Sequence, residues 1–448
     1  MTVSGAVAPG DLAERVLDMV DGRADAQVRA GAGESALTRF ANSFIHQNVA
    51  EYRASVGLNV SVDGRSASVA TTRVDDDALR RLVDATLAAA RLRPVDDEWP
   101  GLAPPAPVPA VDHYDATTAT ATPGERAAVV KDFVDAGAGL EAAGFCSTSS
   151  REYAYANTAG QRAGGRATDA AFEGIHQLVP GLAAGQSTRS SIRLADIDGV
   201  ALGRQAAATA RAAADPVDLD PGDYEVVLQN ECVATIAVFL GFDSFNAKTY
   251  LDGQSCVRLN EAQFDDVVNI WDDATDPRAI GVAYDAEGTP KRRVDLVRDG
   301  VSVGLAHDRR TARRADGEST GHAVPGGETW GAYPENLFMA GGDASVEDLI
   351  GGLDRGLLVS ELNYCRVLDP KTMVITGLTR NGTFVVEDGK IARPIRNLRF
   401  TQSFRDALGP GNVRRLGAAR FAASNEDEVA HVPSVHLGRW HFTGGARG

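Results

Sequence analysis

An alternating pattern of apolar residues marks the clearest element in the N-terminal part of the chain. Every second residue from Ala54 to Val62 is apolar, as expected for a strand that is buried on one face. Asp63-Gly64 follows at once and predicts a tight hairpin turn. Apolar residues spaced three and four apart predict helices. The predicted helices cover 12–20, 77–91, 122–143, 199–214 and a stretch that begins at 230.

The second half of the chain has few helical patterns and many glycine-rich loops, which favours strands. Further strands are predicted between 144 and 194, with interruptions at Gly164-Gly165 and at Gly181. The other predicted strands cover 24–30, 35–49, 224–228, 301–306, 373–376, 383–386, 390–400 and 432–442.

These elements predict an α+β fold with an N-terminal mixed-sheet domain that carries helices and a C-terminal, mainly antiparallel β domain. The segment from Pro94 to Pro109 is rich in proline and reads as a semi-rigid connector. The predicted division is an N-terminal α+β subdomain over 1–93, a connector over 94–121, a central region over 122–221 and a C-terminal β-rich domain over 222–448.

Charge and cysteine content narrow the class of protein. The 448-residue chain carries a net charge of −16 and has no Lys/Arg-rich stripe, which argues against a nucleic acid or an acidic membrane as partner. The four cysteines are scattered, without a CxxC pair, so reduced thiols fit better than disulfides. Neither a signal peptide nor a long apolar segment is apparent. A cytoplasmic location is predicted.

Several short runs, in their order and spacing, resemble the TldD/PmbA family on its PmbA (TldE) side. The similarity begins at the hairpin Val56–Arg65 and continues at the strand Tyr224–Leu228. The most specific run is Asp316–Ala323, which leads into Pro334–Leu337. The remaining runs are Gly341–Asp343, Leu349-Ile350, Arg355–Val359, Glu387–Ile391 and Pro394-Ile395.

The resemblance implies a place to look for a metal site. TldD-like members resemble zinc peptidases with an HExxxH helix and a cysteine near the C-terminus, and such chemistry needs His and thiolate ligands with a carboxylate base. Counting from the strand at Tyr224–Leu228 puts Val238 and Asp243 at the two His positions and Phe239 at the Glu position. The segment 422–448 contains no cysteine. No catalytic residue and no metal ligand are therefore predicted in this chain, and zinc is expected in a TldD-like partner.

The same comparison predicts a feature of the helix backbone. Two histidines five residues apart do not share a face of an ideal α-helix, so the family's site needs a distorted helix end. Gly241, at the fourth motif position, would still allow that distortion. Val238 is expected to be partly buried and to face the cavity that the site leaves.

Several other residues could have a catalytic, metal-binding or substrate-contacting role, but each also has a simpler structural interpretation. Glu231 could act as a base, but a capping or surface role at the start of its helix is preferred. His431, His436 and His441 are spaced by five, which places neighbours on opposite faces of a strand, so ordinary histidines are expected rather than metal ligands. The run Ser319, Thr320, Gly321 and His322 is either a loop whose hydroxyls bond backbone groups or a wall of the substrate channel.

The leading functional hypothesis is a metal-free, TldE-like subunit of a TldD/TldE-type metallopeptidase complex. The resemblance implies that it pairs with a zinc-bearing TldD-like chain to form a chamber that degrades or trims small or unfolded peptides, including modified peptide precursors. Two alternatives stay open. One is a stand-alone peptidase with an unrecognised site, and the other is a peptide-binding module without proteolysis.

Overall fold

Two β-sheets with helices packed against them make up the computed structural model, which describes residues 7–179, 183–424 and 428–445. A six-stranded sheet lies in the N-terminal half and an eleven-stranded sheet in the C-terminal half. The predicted α+β class is confirmed. In the described ranges, no helix is both long and apolar enough to cross a membrane.

The N-terminal sheet has the strand order β3-β2-β1-β4-β5-β6 and is antiparallel throughout. It joins strands from the predicted subdomain 1–93 to strands from the predicted central region 122–221. Its strands are β1 (Asp25–Ala41), β2 (Phe44–Val62), β3 (Arg65–Thr71), β4 (Glu141–Asn157), β5 (Arg162–Val179) and β6 (Ala183–Ser191).

Helices cover one part of this sheet and bury its apolar positions. Alternate residues of β1 and β2 pack with α1 and α2 in one cluster, and Phe40 packs with α4 and α5 in a second. Thr122 caps α4 through a reciprocal capping box with Glu125. The helices are α1 (Pro9–Val20), α2 (Asp76–Arg91), α3 (Ala116–Ala119), α4 (Pro123–Ala136) and α5 (Gly199–Ala212), with a 3-10 turn at Leu194–Asp196.

Three predictions in this half are wrong in detail. The predicted strand over 35–49 is broken, because Asn42 and Ser43 (φ 51° and 63°) turn the chain between β1 and β2. The helix predicted to reach 143 ends at Ala136, and β4 begins at Glu141. Gly164-Gly165 does not interrupt β5. The glycine at 165 has a different role, because its missing side chain lets Val282 of the C-terminal half approach the strand closely. The predicted break at Gly181 lies outside the described residues.

The C-terminal sheet is mixed, and here the parallel pairs occur. Strand β7 pairs in parallel with β12, and β11 pairs in parallel with β17. The N-terminal sheet, where mixed pairing was expected, has antiparallel pairs instead. The strands are β7 (Gly222–Leu228), β8 (Ile270–Asp272), β9 (Val294–Arg298), β10 (Val301–Ser302), β11 (Leu337–Met339), β12 (Arg355–Asp369), β13 (Val374–Glu387), β14 (Lys390–Pro394), β15 (Leu398–Ser403), β16 (Val413–Ala423) and β17 (Val429–Gly445).

The largest apolar core of the chain surrounds one helix of this half. Helix α6 (Asn230–Phe239) packs between β12, β16 and β17, and all its residues except Glu231 are buried. A π-helical turn at Leu240–Ser244 extends it. The other helices are α7 (Ala247–Leu251), α8 (Arg309–Arg314), α9 (Gly327–Trp330), α10 (Val346–Gly351) and α11 (Phe404–Ala407).

Candidate functional site

The distorted helix end predicted around Gly241 is confirmed. The backbone N–H of Phe245 donates to the carbonyl of Leu240 at 2.8 Å, which is a bond to the fifth preceding residue. A Cβ at position 241 would lie 2.9 Å from Leu337 Cδ1, so glycine is the residue that fits there. Single π-helical turns at the end of an α-helix are frequent at functional sites. The helix therefore has the backbone form that a motif with five-residue spacing requires.

The side chains at the first two motif positions are those of a core. Val238 and Phe239 are 5% and 9% exposed and belong to the apolar core, and Phe239 packs edge-to-face on Phe404. The expectation that Val238 is only partly buried and faces a cavity is wrong. Asp243 is half-buried, and burial raises the pKa of its carboxyl from 3.8 to about 6.

The residues at this helix end do not fit a zinc ion. Zinc needs three or four nitrogen, sulfur or carboxylate donors that converge, and Val238 and Phe239 offer none. Across residues 7–179, 183–424 and 428–445, no group of three or more His, Cys, Asp or Glu side chains is arranged to hold a metal. Asp243 directly follows Phe242, which contacts the rings of Trp330 and Tyr333.

A cleft of about 670 Å³ lies between the two halves of the chain. It is next to the motif helix end, which is the π-helical turn Leu240–Ser244 that follows α6. Tyr333 connects the two features, since it contacts Phe242 and also lines the cleft. The N-terminal sheet supplies one wall, and the loop from Ala279 to Lys291 supplies much of the other. The lining residues include Tyr153, Asp169, Ser190, Ile280, Tyr284, Lys291, Glu335, Asn336, Phe338, Phe421 and Glu428.

The charged wall of the cleft rests on a buried network. Lys291 is 4% exposed in its side chain and pairs with Glu335, whose carboxylate reaches solvent. Behind this pair lies Asp272, which is fully buried and accepts the backbone N–H of Asn336. Burial alone would raise the pKa of Asp272, but His322, Lys291 and the Asn336 N–H outweigh burial and lower it. The network fixes Lys291 as a cation in the wall.

The predicted loop Ser319–His322 lies behind this wall. His322 is fully buried, with Nε2 2.8 Å from Asp272 Oδ1 and Nδ1 2.8 Å from Thr320 Oγ1. Ser319 Oγ donates to the carbonyl of His307, and Thr320 Oγ1 accepts the N–H of His307. These are the contacts of a loop held by its hydroxyls. A substrate-channel role for Ser319, Thr320, Gly321 and His322 stays a prediction; the last three of these residues are buried.

A smaller polar cavity of about 300 Å³ lies at the N-terminal end of α6. Glu231 borders it and accepts from Arg420 Nη2 at 2.7 Å, with its side chain 13% exposed. The predicted capping or surface role of Glu231 is therefore wrong, and the residue forms a mostly buried ion pair. Glu361 also lines this cavity and accepts from the side chains of Asn363 and Asn381. Burial raises the pKa of Glu361 from 4.5 to about 7.

The three C-terminal histidines lie apart from one another along β17, as their spacing predicted. His431 packs on Phe338 and Phe421. His436 pairs with Glu225, and His441 pairs with Asp223. Each histidine thus has its own local contacts.

Sequence reasoning missed most of the residues that line the cleft. Glu335 and Asn336 lie in one of the runs that carried the family resemblance, so a signal existed for them. Lys291 and Tyr153 carry no local signal, because only the packing of the two halves brings them together. Glu361 was not predicted either, because a single charged residue in a strand is normally interpreted as a solvent-exposed position.

Comparisons with known proteins support the fold and identify the family. The structure of TldE from Thermococcus kodakarensis superposes with a TM-score of 0.87 and 15% identity, covering 97% of this chain and 99% of that one. A metalloprotease of Methanothermobacter thermautotrophicus is 26% identical over 203 residues, which is 44% of each chain. Metalloprotease PmbA of Escherichia coli O157:H7 is 30% identical over 125 residues, 28% of this chain and 25% of that protein. The chain therefore matches less than half the length of these curated relatives.

The two-sheet scaffold and the superposition on TldE define the class as a TldE-like fold. The model of the PmbA/TldA metallopeptidase C-terminal domain matches residues 221–444, half of the chain. The chain belongs to the PmbA/TldD family, as a PmbA-like (TldE-like) member.

Proposed function

We propose that this chain is the metal-free subunit of a TldD/TldE-type metallopeptidase complex of the cytoplasm. The observation that carries the proposal is the motif helix, which keeps its π-helical end while Val238 and Phe239 replace two of the motif side chains. A scaffold preserved without its ligands fits a structural role beside a zinc-bearing, TldD-like chain. In this proposal the partner supplies the zinc and the water-activating carboxylate.

The cleft between the two halves supports peptide as the ligand of the assembly. Its lining mixes aromatic rings with a fixed cation, Lys291, and an exposed carboxylate, Glu335. Apolar surface with a few placed charges suits the side chains and termini of a small or unfolded peptide, such as a modified peptide precursor. The described lining residues include no histidine or cysteine, and the charged and aromatic groups of the cleft are therefore interpreted as peptide-binding groups.

An exposed aromatic pair supports contact with the partner on the C-terminal half. Trp330 and Phe242 are 59% and 36% exposed and contact each other at the motif helix end. Large aromatic side chains left in water are typical of interfaces. Trp330 lies within the glycine-rich region from Gly317 to Gly342, where the partner contact is proposed.

The test is to purify the chain with a TldD-like chain that carries HExxxH. We expect a stable complex on size-exclusion chromatography and at least tenfold weaker association of Trp330→Ala, roughly the loss of one interface anchor. Leu368→Ala, which removes another exposed apolar side chain (59%), is the matched control and should associate normally. Absence of a complex with the wild-type chain would contradict the proposal.

A peptide-binding module without proteolysis is the second candidate, and the cleft is the observation that favours it. Calorimetry with an unfolded peptide and the isolated chain distinguishes the two. Tight binding without any complex with a TldD-like chain would favour the module.

A further inference from the structure

One long strand of the N-terminal sheet has an unpaired edge. Strand β2 pairs with β1 from Phe44 to Ser61, with one irregularity near His46, but β3 covers only Val56–Val62 on the other side. Within the described residues, Phe44–Ser55 therefore has no strand neighbour on its outer side. We call this twelve-residue segment the free edge. Its outer N–H and C=O groups are available for pairing with another strand.

The free edge is exposed on both faces and carries large apolar side chains. All ten residues from Phe44 to Arg53 are exposed. Phe44 is 57% exposed, Val49 42% and Tyr52 39%. Monomeric proteins usually protect such an edge with lysine, proline or a short strand, and the free edge contains no lysine or proline. Its composition favours pairing rather than protection.

The hydrogen-bonding direction along the free edge follows from the hairpin. Val62 and Arg65 flank the two-residue turn Asp63-Gly64 (φ 49° and 71°), and residues that flank such a turn form a hydrogen-bonded pair. The register between β1 and β2 is regular from Gln47 to Ser61. The backbone N–H and C=O groups of successive strand residues point to alternate sides of the strand. Those of Val62 and of every second residue before it therefore point away from β1. On the free edge, Ala50 is one of these residues.

We propose that the free edge pairs antiparallel with the free edge of a second copy of this chain. Two identical strands can pair about a two-fold axis, so the assembly closes at two subunits. An axis near Asn48 and Val49 lets both free edges pair before either meets the other copy's β3. The chain carries a net charge of −16, but the free edge has one acidic residue, Glu51, balanced by Arg53. Two copies therefore meet here with little repulsion.

The pairing does not depend on the proposed function and predicts an effect that is confined to assembly. Ala50→Pro removes an outward N–H and should leave the subunit folded, since proline is tolerated where the N–H of an edge strand faces solvent. Ala50→Thr keeps the N–H and is the matched control. Val49→Lys adds like charges next to the axis and tests the same contact without touching the backbone.

Sedimentation velocity over a range of protein concentrations, with circular dichroism to verify folding, is the experiment. The wild-type chain and Ala50→Thr should be dimers, whereas Ala50→Pro and Val49→Lys should be folded monomers. A wild-type monomer at every concentration would overturn the proposal. So would a dimer that persists in folded Val49→Lys, or a free edge that pairs only with a TldD-like chain.

Discussion

Val238→Asp tests the burial of the first motif position. Val238 is 5% exposed within the C-terminal core. Loss of its two methyl groups costs about 1.5 kcal/mol, from about 0.8 kcal/mol per buried CH₂. The new carboxyl would be more buried than Asp243, whose pKa is already raised to about 6. A pKa raised by roughly three units costs about 4 kcal/mol once the unfolded chain is ionised.

The expected total loss in the free energy of unfolding at pH 8 is about 5–6 kcal/mol, which approaches the whole stability of many domains. The variant loses stability as pH rises, because the pKa of the new carboxyl is higher in the folded than in the unfolded state. The carboxyl is neutral in both states at low pH, so its electrostatic cost appears as pH rises through the interval between the unfolded and folded pKa values. At pH 4 mainly the packing loss remains.

Urea unfolding at pH 4 and pH 8, followed by circular dichroism, measures both quantities. Val238→Ala isolates the packing loss, and Val267→Asp places the same carboxyl at a 45% exposed valine. If Val238→Asp costs no more than Val238→Ala at pH 8, the side chain faces water and the description of the motif helix as core is refuted.

Three further predictions concern the charged groups and the metal. Glu361→Gln should match the wild type at pH 4 and be about 3 kcal/mol more stable at pH 8, because the folded pKa near 7 makes ionisation costly; equal stability at both pH values would contradict the burial of Glu361. Asp272→Asn should lose about 3 kcal/mol in urea unfolding, since it weakens the pairing of buried Lys291; a neutral effect would contradict the network. Metal analysis of the dialysed chain should find far less than one zinc per chain, and stoichiometric zinc would contradict the donor assignment.

Local sequence signals predicted the elements whose pattern is complete in a short window. The alternation up to Val62 and the turn at Asp63-Gly64 appear as expected, and Gly241 correctly indicated the distorted helix end. The turn at Asn42-Ser43 was missed because it contains no glycine, although asparagine tolerates positive φ. Gly165 was misread because its role depends on Val282, more than a hundred residues away.

The cleft could not be predicted from the sequence for a related physical reason. Its charge arrangement depends on Lys291, Glu335 and Asp272, which lie on separate loops and strands and meet only in the packed molecule. Periodicity predicts which face of an element is buried, but it does not predict which distant residue it will meet. The burial of Val238 was misjudged likewise, because a lost ligand position need not leave a cavity.

Peptide cleavage by a mixture of this chain and a TldD-like chain with HExxxH tests the central claim most directly. The account predicts that neither chain alone cleaves an unfolded peptide efficiently and that the mixture does. Replacing the motif Glu of the partner should abolish cleavage, whereas Asp243→Asn in this chain should preserve it. Cleavage by this chain alone, or full activity of the partner without it, would contradict the claim.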